Sequence, residues 1–275
     1  MRFVVRHQTV YRYSVPVQLA THILRLTPRP GSVRTIEHAI ELDPLPSARR
    51  ARIDELGNLV SEVDFLGSTS TLRIDSRVDV ETFPAPALLQ PMAALPIAPA
   101  PFDPCANFRI APIEASVSQF AHALASRVGH DLLAFLDELS RTLFERTDQA
   151  WRQLGAAHAA AETLATGRGA CRDLTVLYIA ACRSLGIASR FTSGYVAPLD
   201  QLDSQRQLHA WAEVFLPDVG WRGWDPSQGA RVSDRHLPLC AAADQAETMP
   251  VEGGFYFNGA IVDTTLDYDL RVSVS

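Results

Sequence analysis

A proline-rich stretch at residues 83–112 divides this chain and limits what it can fold into. Eight of the 18 prolines in the 275-residue sequence lie within it. Proline lacks a backbone N–H and has a fixed φ, so a segment this rich in proline forms neither a helix nor a central strand. We therefore predict an extended linker at 83–112, which separates an N-terminal β domain at 1–82 from a second domain at 113–275.

Residues 1–82 have the pattern of short antiparallel strands. Apolar and polar residues alternate with period two in IEHAIELDPLP, NLVSEVDFLG and STLRIDSRVDVETF, and a run of β-branched and aromatic residues precedes them. Turn-forming pairs such as Pro30-Gly31 and Gly57-Asn58 separate the segments. This combination predicts a small antiparallel β-sandwich.

Helical periodicity begins after the linker. Leucines recur on one helix face within HDLLAFLDELSRTLFERT, at Leu132, Leu136, Leu139 and Leu143. AAHAAAETLATG predicts a second helix that stops at Gly167, and GRGACRDLTVLYIAACRSLG predicts a third that is closed by Gly186. Strand patterns follow in IASRFTSGYVA, LHAWAEVFLP, WRGWDP and the C-terminal IVDTTLDYDLRVSVS. Helices followed by strands predict an α+β fold, with the C-terminal strands attached to the second domain.

The charge balance narrows the classes of partner. The formal net charge is −6 and the pI is about 5.7, so no chain-wide basic field exists to hold nucleic acid or an anionic membrane. All 25 basic residues are arginines, which excludes a lysine Schiff base. No stretch approaches the roughly 20 apolar residues of a membrane span, and the N-terminus lacks the apolar region of a secretory signal. We therefore predict a cytosolic protein.

The sequence contains no metal or cofactor motif. Its four cysteines are widely spaced and form no CxxC pair, which disfavours a zinc knuckle and a disulfide framework. A P-loop and a dinucleotide fingerprint are also absent. We expect neither a cofactor nor a bound metal.

Cys171 is the first candidate for chemistry. It follows Gly167-Arg168-Gly169-Ala170 and opens an apolar helix. Unpaired N–H groups and the positive end of the helix dipole favour a thiolate at this position, and the glycines leave room beside the sulfur. The alternative is a buried structural cysteine, which is the commoner role of a free thiol.

A thiolate nucleophile needs a proton partner, and His209 and Asp225 are the candidates. His209 opens the strand HAWAEVFLP, where the alternative is a core histidine, and Asp225 follows the next turn. An aspartate can orient an imidazole by accepting a hydrogen bond from its second nitrogen. A two-residue turn at Asp218-Val219 would place Asp225 on the opposite face from His209. Bringing them together requires an odd-length loop or a bulge.

Three segments carry a resemblance to a known family. AETLATGRGACRDLTVLYIAACRSLGIASRFTSGY, HAWAEVFLP and GWRGWDPSQG resemble, in the same order, the bacterial transglutaminase-like family, whose members are usually named as cysteine proteases. YRYSVPV, LRLTPRP and DELGN resemble the β domain that precedes the catalytic core in that family. The usual DPTNG of the family stands here as DPSQG, which keeps the aspartate.

The resemblance implies a papain-like α+β core with a Cys–His–Asp triad at 113–275. Cys171 is then the nucleophile, His209 the general base and acid, and Asp225 the orienting carboxylate. The implied reaction is hydrolysis of a peptide or protein amide through a thioester. Two alternatives remain: a transglutaminase that passes the acyl group to a primary amine, and a non-catalytic scaffold that binds peptides.

Several other residues receive structural interpretations. Asp173 lies in the first helical turn after Cys171, where a carboxylate stabilises the helix dipole, and Arg172 can offset its charge. Cys182 is interpreted as a packing residue on the same helix. Trp211, Trp221 and Trp224 are interpreted as core aromatics rather than as the lining of a substrate groove.

Overall fold

A computed structural model describes residues 1–85, 94–97, 105–149, 152, 155–197, 208–217, 219–259 and 261–275. The strands are β1 (Arg2–Leu19), β2 (His22–Leu24), β3 (Val33–Asp43), β4 (Ala48–Ile53), β5 (Leu59–Asp64), β6 (Thr69–Thr82), β7 (Asp148–Gln149), β8 (Arg168–Gly169), β9 (Ser189–Val196), β10 (His209–Leu216), β11 (Gly220–Asp225), β12 (Ala230–Arg231), β13 (His236–Ala242), β14 (Val251–Glu252), β15 (Phe255–Tyr256) and β16 (Thr264–Val274). The helices are α1 (Ala115–Arg127), α2 (Leu132–Arg146), α3 (Ala160–Thr166) and α4 (Cys171–Ser184). The predicted α+β class is confirmed.

The N-terminal residues form two antiparallel sheets that pack face to face. One sheet contains β3, β6 and β1, and the other contains β2, β5 and β4. Alternate apolar side chains of both sheets meet in a buried cluster that includes Val17, Leu24, Val63 and Leu72. The period-two pattern of the sequence produces this arrangement, because every second side chain of a strand points to the same face.

The C-terminal strands complete these two sheets. β16 pairs with β1 over eleven residues, from Phe3 with Val274 to Tyr13 with Thr264. β15 also pairs with β1, and β14 pairs with β2. The sequence analysis attached these strands to the 113–275 domain, whereas in the structure their partners belong to residues 1–82. Alternation identifies a strand but carries no information about its partner, so sequence could not assign them. The linker at 83–112 stays a prediction, since much of it falls outside the described residues.

Next to the two N-terminal sheets lies the core, which consists of a further antiparallel sheet covered by helices. Its strand order is β12-β11-β10-β9-β13. Helix α4 is buried at the centre and contacts β9, β10 and the other three helices. The three predicted helices are present, and α1 adds one that the sequence analysis did not identify. Its buried face consists of Val117, Ala121, Leu124 and Ala125.

An apolar interface joins the N-terminal sheet to this core. Phe3, Val5, Val78 and Val80 of the sheet pack against a group on β9, the residue after it and β13. That group is Tyr195, Ala197, Leu237 and Leu239. The two parts therefore share a continuous buried surface and hold each other in a defined orientation.

A buried ion network reinforces the same junction. Glu213 on β10 accepts hydrogen bonds from Arg190 on β9 at 2.7 Å and from Arg29 of the N-terminal region at 3.2 Å. Arg29 also donates its backbone N–H to the Pro238 carbonyl at 3.0 Å. The Arg190 guanidinium stacks 4.1 Å from the centre of the Trp221 ring. Burial raises the pKa of Glu213, but the two arginines outweigh it and lower that pKa, which keeps the carboxylate ionised.

We expect Glu213→Ala to lower the free energy of unfolding by about 3 kcal/mol, because it leaves two arginines in a largely buried site without their counter-charge. The loss is measured by urea unfolding. Glu145→Ala is the matched control, since Glu145 pairs with Arg141 in solvent. Equal losses for the two variants would contradict the structural role of the network.

None of the helices in the described part of the chain has the length and hydrophobicity that a bilayer crossing requires. The cytosolic location stays a prediction.

Candidate active site

Cys171 is the first residue of α4, and its setting is built by the residues just before it. α3 ends at Gly167, whose φ of 59° is left-handed and whose N–H reaches the Thr163 carbonyl. Gly169 has no room for a side chain, because an added Cβ would lie 2.9 Å from the Cβ of Asp173. The Cys171 thiol consequently emerges at the N-terminus of a buried helix, where N–H groups have no intrahelical acceptor. It lines a cavity and is partly exposed.

The β10–β11 hairpin determines where Asp225 points. Leu216 pairs with Gly220, so the loop between them is the three residues 217–219. Because the loop has an odd number of residues, the register of the hairpin places Asp225 across from Trp211. Trp211 is two residues from His209 on β10, so Asp225 lies on the same face of the sheet as the histidine. Gly220 has a φ of 82°, which a residue without a Cβ adopts at little cost. The odd-length loop that the sequence analysis required is present.

The structure brings Cys171, His209 and Asp225 together. The Nε2 atom of His209 lies 2.7 Å from Oδ2 of Asp225, and His209 also hydrogen-bonds the Cys171 thiol. Because Asp225 occupies Nε2, Nδ1 is the ring nitrogen left to face the sulfur. The backbone N–H of Ala210 donates a further hydrogen bond to the sulfur.

This arrangement favours a thiolate–imidazolium pair. Burial raises the pKa of Cys171, but the positive charge of His209 and the hydrogen bonds to the sulfur lower it overall. Burial lowers the pKa of His209, whereas Asp225 and Cys171 raise it, with a net rise to about 10. Asp225 is fully buried, and its pKa still lies well below the usual range because His209 and His236 stabilise its charge.

Asp225 has more partners than the sequence indicated. Its Oδ1 accepts hydrogen bonds from the backbone N–H of Ser227 at 2.9 Å and from the Ser227 hydroxyl at 2.7 Å. Its Oδ2 lies 3.1 Å from Nε2 of the buried His236, in addition to His209. Sequence reasoning missed Ser227 and His236. A histidine at the start of the apolar strand HLPLCAA was the signal for His236, but nothing local connected it to Asp225.

Metal-ligand chemistry is a second possibility for this cluster. One ligand atom from each of His209, Asp225 and His236 lies within 4.8 Å of the others. Both imidazoles, however, direct Nε2 at the same Asp225 oxygen at hydrogen-bond distance. We assign a proton to each Nε2, because both face the same carboxylate oxygen, and in that state neither Nε2 has a lone pair for a metal and the atoms form a hydrogen-bonded network.

A cavity of about 220 Å³ opens beside the sulfur, between the core and the N-terminal sheet. The sheet contributes side chains of β1 and β16, and the core contributes residues from the middle of β9, from the start of β10 and from the segment after β13. The lining includes Thr9, Tyr11, Leu266 and Tyr268 from the sheet, and Phe191, Leu208, Gln245 and Met249 from the core. Arg172 adds a positive charge at its edge. The cavity therefore combines an apolar wall with a few polar groups near the thiol.

Asp173 is held by hydrogen bonds at the start of α4, in line with the structural interpretation that the sequence favoured. Its Oδ2 accepts from the Ala170 N–H at 2.7 Å, and its Oδ1 accepts from the His158 N–H and from Arg152, each at 2.7 Å. Arg152 thus supplies a compensating charge at hydrogen-bond distance, and the positive charge of Arg172 also interacts with Asp173.

The remaining residues singled out in the sequence lie in or near the core. Cys182, Trp211 and Trp224 are fully buried. Trp221 packs its ring edge-to-face with Phe108 and Phe215. Trp211 also contacts the edge of the His236 ring, with the two centroids 5.2 Å apart. Trp211 thus packs beside both His209 and His236, and none of the three tryptophans is among the residues that line the cavity.

Proteins of mycobacteria and a solved bacterial structure are among those similar to this chain. Uncharacterized proteins of Mycobacterium tuberculosis and Mycobacterium bovis are each 30% identical to it, over 97% of this chain and 92% of their own. A structure described as "a Putative Cysteine Protease from Cytophaga hutchinsonii" is 15% identical, with a TM-score of 0.73, and the match covers 99% of this chain and 90% of that one. The latter similarity concerns the fold, which includes the N-terminal sheets as well as the core.

Two family models match successive parts of the sequence. The bacterial transglutaminase-like N-terminal region matches residues 3–81, and the transglutaminase-like superfamily matches residues 120–226, a range that includes Cys171, His209 and Asp225. The resemblance noted in the sequence is thereby confirmed. On these matches and on the mycobacterial relatives, the chain belongs to the bacterial transglutaminase-like family.

Proposed function

We propose that the protein is a cysteine-dependent amide hydrolase that acts on a peptide or protein substrate. The observation that carries this proposal is the hydrogen-bonded series Cys171–His209–Asp225 at the edge of a cavity. A nucleophile, a base in contact with it and a buried carboxylate that orients the base are the three parts that covalent acyl transfer requires.

The proposed reaction has two halves. The Cys171 thiolate attacks the amide carbonyl carbon, and the tetrahedral intermediate collapses to a thioester as the His209 imidazolium protonates the leaving amine. Neutral His209 then removes a proton from water, and the resulting hydroxide attacks the thioester. The carboxylic acid product leaves, and the thiolate–imidazolium pair is restored.

Two donors are candidates for stabilising the oxyanion. The first is the backbone N–H of Cys171, which lies in the first turn of α4 and has no intrahelical acceptor. The second is Gln245, which lines the cavity. The Ala157 N–H holds its Oε1 at 2.6 Å, which leaves the side-chain NH₂ for a substrate. Loss of one such donor typically costs about 3 kcal/mol of transition-state stabilisation.

In this proposal the N-terminal sheets are part of the substrate site. Thr9, Tyr11, Leu266 and Tyr268 form the cavity wall opposite the core, and the apolar interface holds that wall in place. An acyl group that reaches Cys171 would therefore contact both parts of the protein. This gives the N-terminal β region a role in recognition, in addition to its contribution to stability.

A partition experiment tests hydrolysis against amine transfer. p-Nitrophenyl acetate acylates reactive thiols and releases p-nitrophenolate, and methylamine then competes with water for the acetyl group. We expect acetate to be the main product by mass spectrometry, because the described residues that line the cavity include no carboxylate to bind an incoming ammonium group. Cys171→Ala measures the uncatalysed reaction. N-methylacetamide as the main product would favour a transglutaminase, and failure to acylate Cys171 would favour the non-catalytic scaffold.

A further inference from the structure

We propose that His236 is a positioning residue, which holds the Asp225 carboxylate in the orientation that directs His209 toward Cys171. The inference rests on the proposed function and adds a fourth side chain to it. The network then runs Cys171–His209–Asp225–His236, with the two imidazoles on one carboxylate oxygen.

The hydrogen bonds around Asp225 account for its whole accepting capacity. A carboxylate offers about four lone-pair sites on its two oxygens. Ser227 supplies two donors to Oδ1, while His209 and His236 each supply one to Oδ2. Asp225 is completely buried, so no water can replace a missing donor without rearrangement. Among the described residues, loss of His236 would leave Oδ2 with His209 as its one remaining partner, so the side of the carboxylate that faces His209 would be held less firmly.

The surroundings of His236 define which nitrogen carries its proton. The backbone N–H of Ser233 approaches Nδ1 at 3.4 Å, so we assign Nδ1 as an acceptor and Nε2–H as the donor to Asp225. His236 is 5% exposed as a residue, and its ring packs against Trp211 in an edge-on arrangement. His236 begins β13, which pairs with β9 through Val196. It is thus held by sheet pairing, by the Ser233 turn and by aromatic packing, as a positioning group requires.

Burst kinetics with p-nitrophenyl acetate separate this role from a structural one. The amplitude of the p-nitrophenolate burst counts the folded, acylated sites, and the steady-state rate divided by that amplitude gives the deacylation rate per site. Deacylation depends on His209 as the base for water, so it reports the orientation of the imidazole. A variant that merely folds less well lowers the amplitude and leaves the rate per site unchanged.

Glutamine and asparagine at position 236 form a matched pair. The amide nitrogen of glutamine reaches about the position of imidazole Nε2, whereas that of asparagine stops near Nδ1. Both are polar amides of similar burial cost. We expect His236→Asn to slow deacylation per site about ten-fold to a hundred-fold, as for loss of a hydrogen bond to a charged group, and His236→Gln to stay within a few-fold of the wild type. His22→Asn is the control at a buried histidine outside the network.

The possible results are distinguishable. Slow deacylation in His236→Asn with recovery in His236→Gln supports the inference. Wild-type rates in His236→Asn, or equal rates in the two variants, would overturn it and leave the proposed function intact. Absence of a Cys171 burst in the wild-type protein would overturn the proposed function, and this inference with it.

Discussion

Replacing Cys171 with alanine is expected to abolish turnover while leaving the fold intact. The nucleophile takes part in both halves of the proposed reaction, and removal of a catalytic nucleophile costs roughly 10⁴-fold or more in kcat. The substitution removes one sulfur atom from a partly exposed position beside a cavity, so little packing is lost. The measurement is the p-nitrophenolate burst, together with the mass of the acetyl-enzyme.

Cys182→Ala is the matched control for this prediction. Cys182 lies on the same helix as Cys171, but it is fully buried in the helical core, and burial raises its pKa well above the ordinary value. Its replacement should cost some stability and leave the burst on Cys171 unchanged. If Cys182→Ala removed the burst and Cys171→Ala retained it, the assignment of the nucleophile would be wrong.

His209→Ala is expected to remove the low-pH reactivity of Cys171. In the wild-type protein the imidazolium lowers the pKa of the thiol, so we expect the thiolate, and with it the reaction with iodoacetamide, to persist to lower pH than for an ordinary thiol. Without His209 the raising effect of burial remains, and the rate should fall as pH falls from above neutrality. An ordinary thiol is only about 0.3% ionised at pH 6, so we expect a loss of about a hundred-fold at that pH.

Alkylation is followed at Cys171 by mass spectrometry of the digested protein across pH 5 to 10. Among the charged and titratable groups around the thiol, His209 is in contact with the sulfur and Asp225 acts on it from behind His209. The cavity lining adds His7, Tyr11, Arg172 and Tyr268. His22→Ala serves as the control for loss of a histidine elsewhere. Ordinary thiol behaviour in both the wild type and His209→Ala would contradict the ion pair and favour a binding scaffold.

Within the candidate triad, the sequence predicted the surroundings of Cys171 more fully than the relative positions of His209 and Asp225. Cys171 was identifiable because glycines and an apolar helix define its surroundings within one short segment. His209 and Asp225 were identifiable as candidates, but their shared face depended on the length of one loop. The pairing of Leu216 with Gly220 makes that loop three residues long, and a two-residue loop would have turned Asp225 away.

His236 and the cavity wall depend on contacts between distant parts of the chain. His236 reaches Asp225 because β13 pairs with β9 and not with β11 or β12. Tyr268 and Leu266 reach the cavity because β16 pairs with β1, more than 250 residues away in sequence. Neither pairing has a local signal, since the alternation that predicts a strand is the same for every possible partner.

The sequence by itself thus determined the α+β class, the positions of three of the four described core helices, the β character of the N-terminal region and the identity of the candidate triad. These features follow from local periodicity, from glycine and proline, and from residue types that match a family motif. The tertiary structure decided which strands are neighbours. That choice placed the C-terminal strands in the N-terminal sheets, formed the cavity between sheet and core, and brought His236 to Asp225. Strand partners are selected by long-range packing of apolar faces, which is a property of the whole fold and not of any one segment.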